Sequence, residues 1–283
     1  MKLSLLFILL LFSTTLWGQK DTLKYIFFGH CYQAETVGDK VDYRIEDFDF
    51  SDYDGIWLGG DCCSEATLKF STVKYMDSLF DLSNSLTFWA LGNHDTRNGN
   101  WEWIRYFTKR KTFYTTTQRG ITYIVLNTNI LPNDCELLDQ QYEIIKNVCD
   151  TISSSSHLIL LMHHGIWNNV PGIPPNPSTY AHSSLPYWNS NCDDVNSNFV
   201  NSVYPKLIEV QNRGIQVICI MGDVGATAKK LDFTSDDGIK FLGCGLYHNS
   251  PEDYVLIFQH IPKKRELTWN YYLLDELLMQ QKK

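Results

Sequence analysis

Five apolar runs in this chain each end in a residue able to hold a metal or a phosphate. Tyr25-Ile26-Phe27-Phe28-Gly29 leads into His30, Ile56-Trp57-Leu58-Gly59-Gly60 into Asp61, and Phe88-Trp89-Ala90-Leu91-Gly92 into Asn93-His94-Asp95. Further on, Leu158-Ile159-Leu160-Leu161-Met162 leads into His163-His164, and Val217-Ile218-Cys219-Ile220-Met221-Gly222 into Asp223. Imidazole nitrogens, carboxylates and an amide gathered at one place suit borderline divalent or trivalent metals.

Gathering them needs a common edge. Short apolar runs closed by Gly and a polar residue read as buried strands delivering side chains to one end of a sheet. In open α/β sheets that carboxyl edge is where ligands bind. Between these strands the spacing predicts an amphipathic helix over 64–82, carrying Ala66, Leu68, Phe70, Val73, Met76, Leu79 and Phe80. Helices are predicted by the same criterion over 101–108 and 136–152, and another over 193–212, where Asn212-Arg213-Gly214 suits a helix C-terminus. Strands are predicted over 121–126, 240–243, 254–261 and 267–273. Alternating strand and helix followed by a strand-rich tail indicates a layered α/β fold. Trp101, Trp103 and Tyr106 read as core, and Asp54 as a turn residue entering a strand.

Residues 165–192 differ in composition. Pro171, Pro174, Pro175, Pro177 and Pro186 stand among Asn, Ser and the aromatics Trp167, Tyr180, Tyr187 and Trp188, with almost no aliphatic residues. That predicts a long irregular loop directly after His163-His164. It reads either as a lid or substrate wall over the site, or as a surface insertion packed by its own aromatics.

Residues 1–19 have one Lys, a short apolar core and a polar end, the pattern of a secretory signal peptide cleaved after Gly18 or Gln19. Residues 20–283 then form the mature domain, exported to the periplasm or secreted, with no stable membrane insertion after cleavage. The net charge of −8 argues against nucleic acid as the main partner. A phosphate could still bind where cations set the local field. Of the eight cysteines, Cys219 and Cys244 lie in strand-like runs and read as buried thiols. Cys31, Cys62 and Cys63 flank His30 and Asp61 and read as paired or simply buried.

Gly-Gly-Asp at 59–61, Gly-Asn-His-Asp at 92–95 and Met-His-His at 162–164 resemble, in order and spacing, the calcineurin-like metallophosphoesterase superfamily. The resemblance runs through most of residues 20–283. It implies a layered sandwich of two mixed β-sheets flanked by α-helices, and a one- or two-ion centre of manganese, iron or zinc at the strand ends. By position, Asp61 resembles the bridging ligand, and Asn93 and His163 ligands of the second metal. His94 resembles the histidine that contacts phosphate and protonates the leaving group, oriented by Asp95. Two motifs depart from the pattern together. His30-Cys31-Tyr32 stands where the family has Asp-x-His, and Gly222-Asp223-Val224-Gly225 where it has Gly-His-x-His. Asp223 completes a second-metal set of Asp61, Asn93, His163 and Asp223, while the first metal is left with His30, Asp61 and Tyr32, altered or absent.

The function that follows is an exported phosphoesterase hydrolysing phosphomonoesters or phosphodiesters through metal-bound hydroxide. The alternative is an impaired relative that binds a ligand of the cell envelope through its aromatic loop. A histidine at a strand end otherwise serves as hydrogen-bonded structure, and His164, His182, His248 and His260 are read that way. Asp61 and Asp223 could instead cap or turn the chain.

Overall fold

β1 (Leu23–Phe28) is apolar on both faces, and strand alternation sends Tyr25 and Phe27 to one side and Ile26 and Phe28 to the other. The same holds for β2 (Gly55–Leu58), β5 (Ile121–Val125), β6 (His157–Met162) and β7 (Gln216–Met221), each buried through all or nearly all of its length. Strands apolar on both faces must be covered on both faces, so the chain builds layers. The computed structural model describes residues 20–33, 36–167, 169–174, 199–224, 230–247 and 250–283.

Two mixed sheets result. The first has the order β11-β10-β1-β2-β3, adding β3 (Phe88–Trp89), β10 (Tyr254–Ile261) and β11 (Glu266–Leu273). The second has the order β4-β5-β6-β7-β9-β8, adding β4 (Tyr114–Gln118), β8 (Lys230–Thr234) and β9 (Lys240–Cys244). β1, β2 and β3 are parallel, as are β5, β6, β7 and β9. One core lies between the sheets, with Tyr25, Phe27, Trp57, Phe88, Tyr123 and Phe258 at its centre. The outer face of the first sheet is covered by α2 (Phe70–Phe80), α4 (Trp101–Thr108) and α7 (Leu274–Gln281). α5 (Cys135–Thr151) and α6 (Tyr204–Asn212) cover that of the second. The described residues also form the short helices α1 (Tyr43–Glu46) and α3 (Asn93–Thr96).

The layered α/β sandwich of two mixed sheets is the one expected. Its details differ in places. The single helix expected over 64–82 is split into a 3-10 turn, Ala66–Leu68, and α2, with Lys69 extended between them. The Thr67 hydroxyl donates to the Asp95 carbonyl and the Thr67 carbonyl accepts from Asn100 Nδ2, so tertiary hydrogen bonds take this turn out of the helix. Leu68 and Phe70 are exposed in consequence. Tyr106, expected in the core, is 60% exposed, with Lys109 Nζ over its ring. Trp101 and Trp103 do pack against the first outer core. β4 and β8, absent from the sequence reading, are edge strands with alternating burial.

Residues 1–19, Asn168 and residues 175–192 lie outside the described residues, and with them the expected signal peptide and most of the expected aromatic loop. The described start of that loop is core and not a lid: Ile166, Trp167, Val170 and Ile173 are buried against the second outer core. Among the described residues no helix is long and apolar enough to cross a membrane. Cys219 and Cys244 are buried thiols, Cys31, Cys62 and Cys63 are likewise unpaired and buried, and Cys135 is disulfide-bonded.

Candidate metal centre

At the carboxyl ends of β1, β2 and β7 the two sheets touch backbone to backbone. A Cβ on Gly222 would stand 2.0 Å from the Gly59 carbonyl oxygen, and one on Gly29 would stand 2.4 Å from that of Gly222. This contact, open only to glycine, brings the residues that follow each strand into one cleft. His30 and Asp61 enter it with φ of 48° and 53°, the left-handed region that non-glycine residues rarely adopt. Hydrogen bonds hold them there: His30 N–H donates to the Gly60 carbonyl and Tyr32 N–H to that of Asp61. Such local strain gathers at functional sites.

The carboxylate of Asp61 is the centre of the arrangement. Its Oδ1 accepts from His94 N–H at 2.9 Å. Its Oδ2 lies 3.5 Å from His163 Nε2 and 3.8 Å from His30 Nε2. Among the described residues, Oδ2 and His163 Nε2 are both buried and have no hydrogen-bond partner. Two such atoms facing each other at this distance are costly unless a proton or a cation is held between them.

The other face of each imidazole is satisfied. His163 Nδ1 donates to the Gly59 carbonyl at 2.7 Å, and His30 Nδ1 to the Leu246 carbonyl at 3.2 Å. A carbonyl only accepts, so in both rings Nδ1 carries a proton and Nε2 is the atom turned toward Asp61. Backbone acceptors that fix the tautomer in this way are the usual support of metal-ligating histidines. His30, Asp61 and Asp223 each offer one atom within 4.8 Å of the others, and so do His163, His164 and Asp223. Asp223 therefore belongs to both groups, and the donor set of imidazoles and carboxylates fits a metal of the manganese, iron or zinc type.

Burial opposes charge on Asp61, but His163, His30 and His164 outweigh it and hold its carboxyl below the ordinary value. Burial likewise opposes the cation on His163, and the Asp61 and Asp223 carboxylates overcome it, raising His163 to about 10. Burial and the neighbouring His163 push His164 down to about 3. A second proton is thus held on His163, toward Asp61, where a cation would take its place.

His164, read from sequence as structural, stands inside the cleft beside His163 and Asp223. Its Nδ1 pairs with Thr128 Oγ1 at 2.8 Å, the same hydroxyl that accepts from His164 N–H. The only signal for it in the sequence was its adjacency to His163. Asn93 opens α3 with its side chain exposed and, among the described residues, without a hydrogen bond. Tyr32 lies with its ring between two imidazoles, 4.8 Å from His30 and 4.8 Å from His94, nearly parallel to the latter at 25°. Burial and the charge of Asp61 raise its hydroxyl pKa. Gly225 lies outside the described residues.

Asp95 corrects the expectation made for it. It does not orient His94, whose Nδ1 donates instead to the Ser64 carbonyl at 3.2 Å. The Asp95 carboxylate is fully buried and accepts from the N–H groups of Asp61, Cys62 and Gly92 and from Trp89 Nε1, at 2.8 to 3.1 Å. It fastens the Asp61 turn to the Gly92 turn. Burial and the charge of Asp61 raise its carboxyl to about 7, against the four donors that favour the anion.

No family profile matches the sequence, and no curated protein sequence matches it. Among solved structures, a dimetal phosphatase from Danio rerio is similar at a TM-score of 0.45 and 8% identity, covering 84% of this chain and 95% of that one. A phosphopantetheinyl hydrolase from Mycobacterium tuberculosis is similar at a TM-score of 0.42 and 11% identity, covering 80% and 89%. A 5'-nucleotidase precursor from Thermus thermophilus is similar at a TM-score of 0.41 and 11% identity, covering 92% of this chain and 58% of that one. The residues of this chain, not these similarities, carry the chemistry.

Proposed function

We propose that this chain is an exported metal-dependent phosphoesterase acting on phosphomonoesters or phosphodiesters. The observation that carries the reading is the buried pair Asp61 Oδ2 and His163 Nε2, 3.5 Å apart at the mouth of the two sheets and, among the described residues, without any other hydrogen-bond partner. His30, Asp61, His163, His164 and Asp223 would hold the cation or cations. A metal held there would supply a Lewis acid able to polarise a phosphoryl group and to activate water at neutral pH.

The remaining steps belong to side chains. His94 Nδ1 is committed to the Ser64 carbonyl, so its Nε2 is the atom that carries a proton to the leaving oxygen. The Tyr32 ring stacked on it limits the ring's rotation. Asp61 Oδ1 accepts from His94 N–H, which couples the position of this imidazole to the carboxylate that faces the metal. Export is supported by the apolar character of residues 1–19. The competing reading, a binding protein working through its aromatic loop, loses its described part to the core, since Trp167 is fully buried.

The test is His94→Ala assayed on aryl phosphomonoester and diester substrates, with metal content measured alongside. Activity is expected to fall by about 10²- to 10⁴-fold with metal retained. Unchanged activity at equal metal content would remove His94 from the reaction.

A further inference from the structure

Away from the metal centre, four cations, Arg105, Lys109, Arg110 and Lys111, lie within one short stretch of a chain of net charge −8. Two of the four are engaged. Arg110 donates to the Leu82, Thr87 and Asn84 carbonyls, and Lys109 Nζ sits 4.4 Å from the centre of the Tyr106 ring. Arg105 and Lys111 are exposed and, among the described residues, have no carboxylate or hydrogen-bond partner for their charged groups. Both line each of two adjoining cavities, of about 400 Å³ and about 490 Å³.

The smaller cavity is not a plain basic surface. Its wall is Trp101, Phe113 and Leu137, with the amides of Asn127 and Gln140 beside them. Phe113 is 8% exposed and so forms a firm apolar floor. An apolar wall with two cations outside any ion pair at its rim and two amides is the make-up of a small-ligand site, and the volume is of the right order for one. Glu102 lines the larger cavity beside them but forms no ion pair with either; a guanidinium and an ammonium left without an ion pair among the described residues attract an oxyanion, and the guanidinium can take it through two parallel hydrogen bonds.

We propose that this cavity binds an organic phosphate ester with a flat apolar body, its phosphate between Arg105 and Lys111 and its body against Trp101 and Phe113. The site stands apart from the metal centre but shares a wall with it. Asn127 Oδ1 accepts from the N–H and Nδ2 of Asn129, and Asn129 Nδ2 donates to the Leu91 carbonyl at 2.7 Å, just ahead of Gly92-Asn93-His94. Thr128, between them, is the residue paired with His164. Binding here needs neither a metal nor hydrolysis, so it holds or fails independently of the phosphoesterase reading.

The experiment is calorimetric titration of the chelated protein with 1-naphthyl phosphate at low ionic strength, with inorganic phosphate and 1-naphthol as controls. One site is expected, at least tenfold tighter for the ester than for either control. Arg105→Gln and Lys111→Gln, both exposed and checked by thermal unfolding, should each weaken binding about three- to tenfold, as loss of one charge-assisted contact does. The double variant should abolish it, and Asp61→Asn should leave it unchanged. Absence of binding to the wild type, equal affinity in the double variant, or loss with Asp61→Asn would overturn the proposal, the last by placing the ligand at the metal centre.

Discussion

Replacing Asp61 with Asn changes little in the shape of the site and much in its chemistry. Asn keeps an Oδ1 to accept from His94 N–H, and Asn tolerates the left-handed backbone that Asp61 adopts at φ 53°. The second oxygen becomes an amide nitrogen, turning hydrogens toward His163 Nε2 and His30 Nε2, 3.5 and 3.8 Å away. A metal bound at a hundredfold excess over its Kd stabilises the native state by about 2.7 kcal/mol. At about 2–4 °C per kcal/mol for a chain near this size, the wild type should gain roughly 5–10 °C when manganese, iron(II) or zinc is returned after chelation. A hundredfold weaker site at the same metal concentration would gain only about 0.4 kcal/mol, or about 1 °C. The assay is a thermal unfolding scan of chelated protein titrated with each metal, paired with elemental analysis of metal per chain. A wild-type shift that persists in full in Asp61→Asn, or no shift in the wild type with any of the three metals, would refute the placement of the metal on this carboxylate.

Three further outcomes follow from other parts of the fold. His157 and His260 are buried where the two sheets meet at the opposite ends of their strands, their rings 6.2 Å apart, and burial holds both down to about 4. Their folded pKa values lie below the unfolded one, so the unfolded chain takes up protons first and stability falls as pH drops from about 6.5 to about 4, by at most roughly 3 kcal/mol per ring. His260→Phe, which removes two buried nitrogens lacking partners among the described residues, should flatten that slope in urea unfolding measured across the range; an unchanged slope would clear His260. Arg44 is buried and paired with Asp42, Asp253 and Asp275, tying the start of α1 to β10 and α7. Arg44→Ala should cost about 3–5 kcal/mol, read from the shift in urea midpoint, because it takes a buried counter-charge away from buried carboxylates. Gly222→Ala should cost about 1–3 kcal/mol and release metal, since its Cβ meets Gly59 backbone at 2.0 Å and the sheets must part; a variant of wild-type stability and metal content would show that this contact gives way freely.

Much of this molecule is local and therefore legible in its sequence. Apolar runs such as 25–28, 158–162 and 217–221, each short and closed by Gly or a polar residue, read as buried strands, and the polar residue closing each then emerges at a strand end, because the period of a strand is set by the backbone itself. The helices over 101–108 and 135–151 follow from spacing in the same way. β4 was missed although its Thr115-Thr116-Thr117 run and the Arg119-Gly120 turn signal a hairpin, since an edge strand buries too little to show as an apolar run.

Tertiary structure alone decided which strand ends meet and what each donor faces. Asp223 shares in both groups of donors, and His164 joins one of them, because the glycine contact draws β1, β2 and β7 together; neither fact is written at any single position. Asp95 follows His94 in the chain, yet turns to four N–H donors and leaves that ring to Ser64. The Gly59, Leu246 and Ser64 carbonyls that select the imidazole tautomers have no side-chain signature at all. A sequence shows which side chains exist and how they alternate. The partners of a buried polar atom are chosen by the whole packed interior, where each donor and acceptor removed from water must find a match or remain costly.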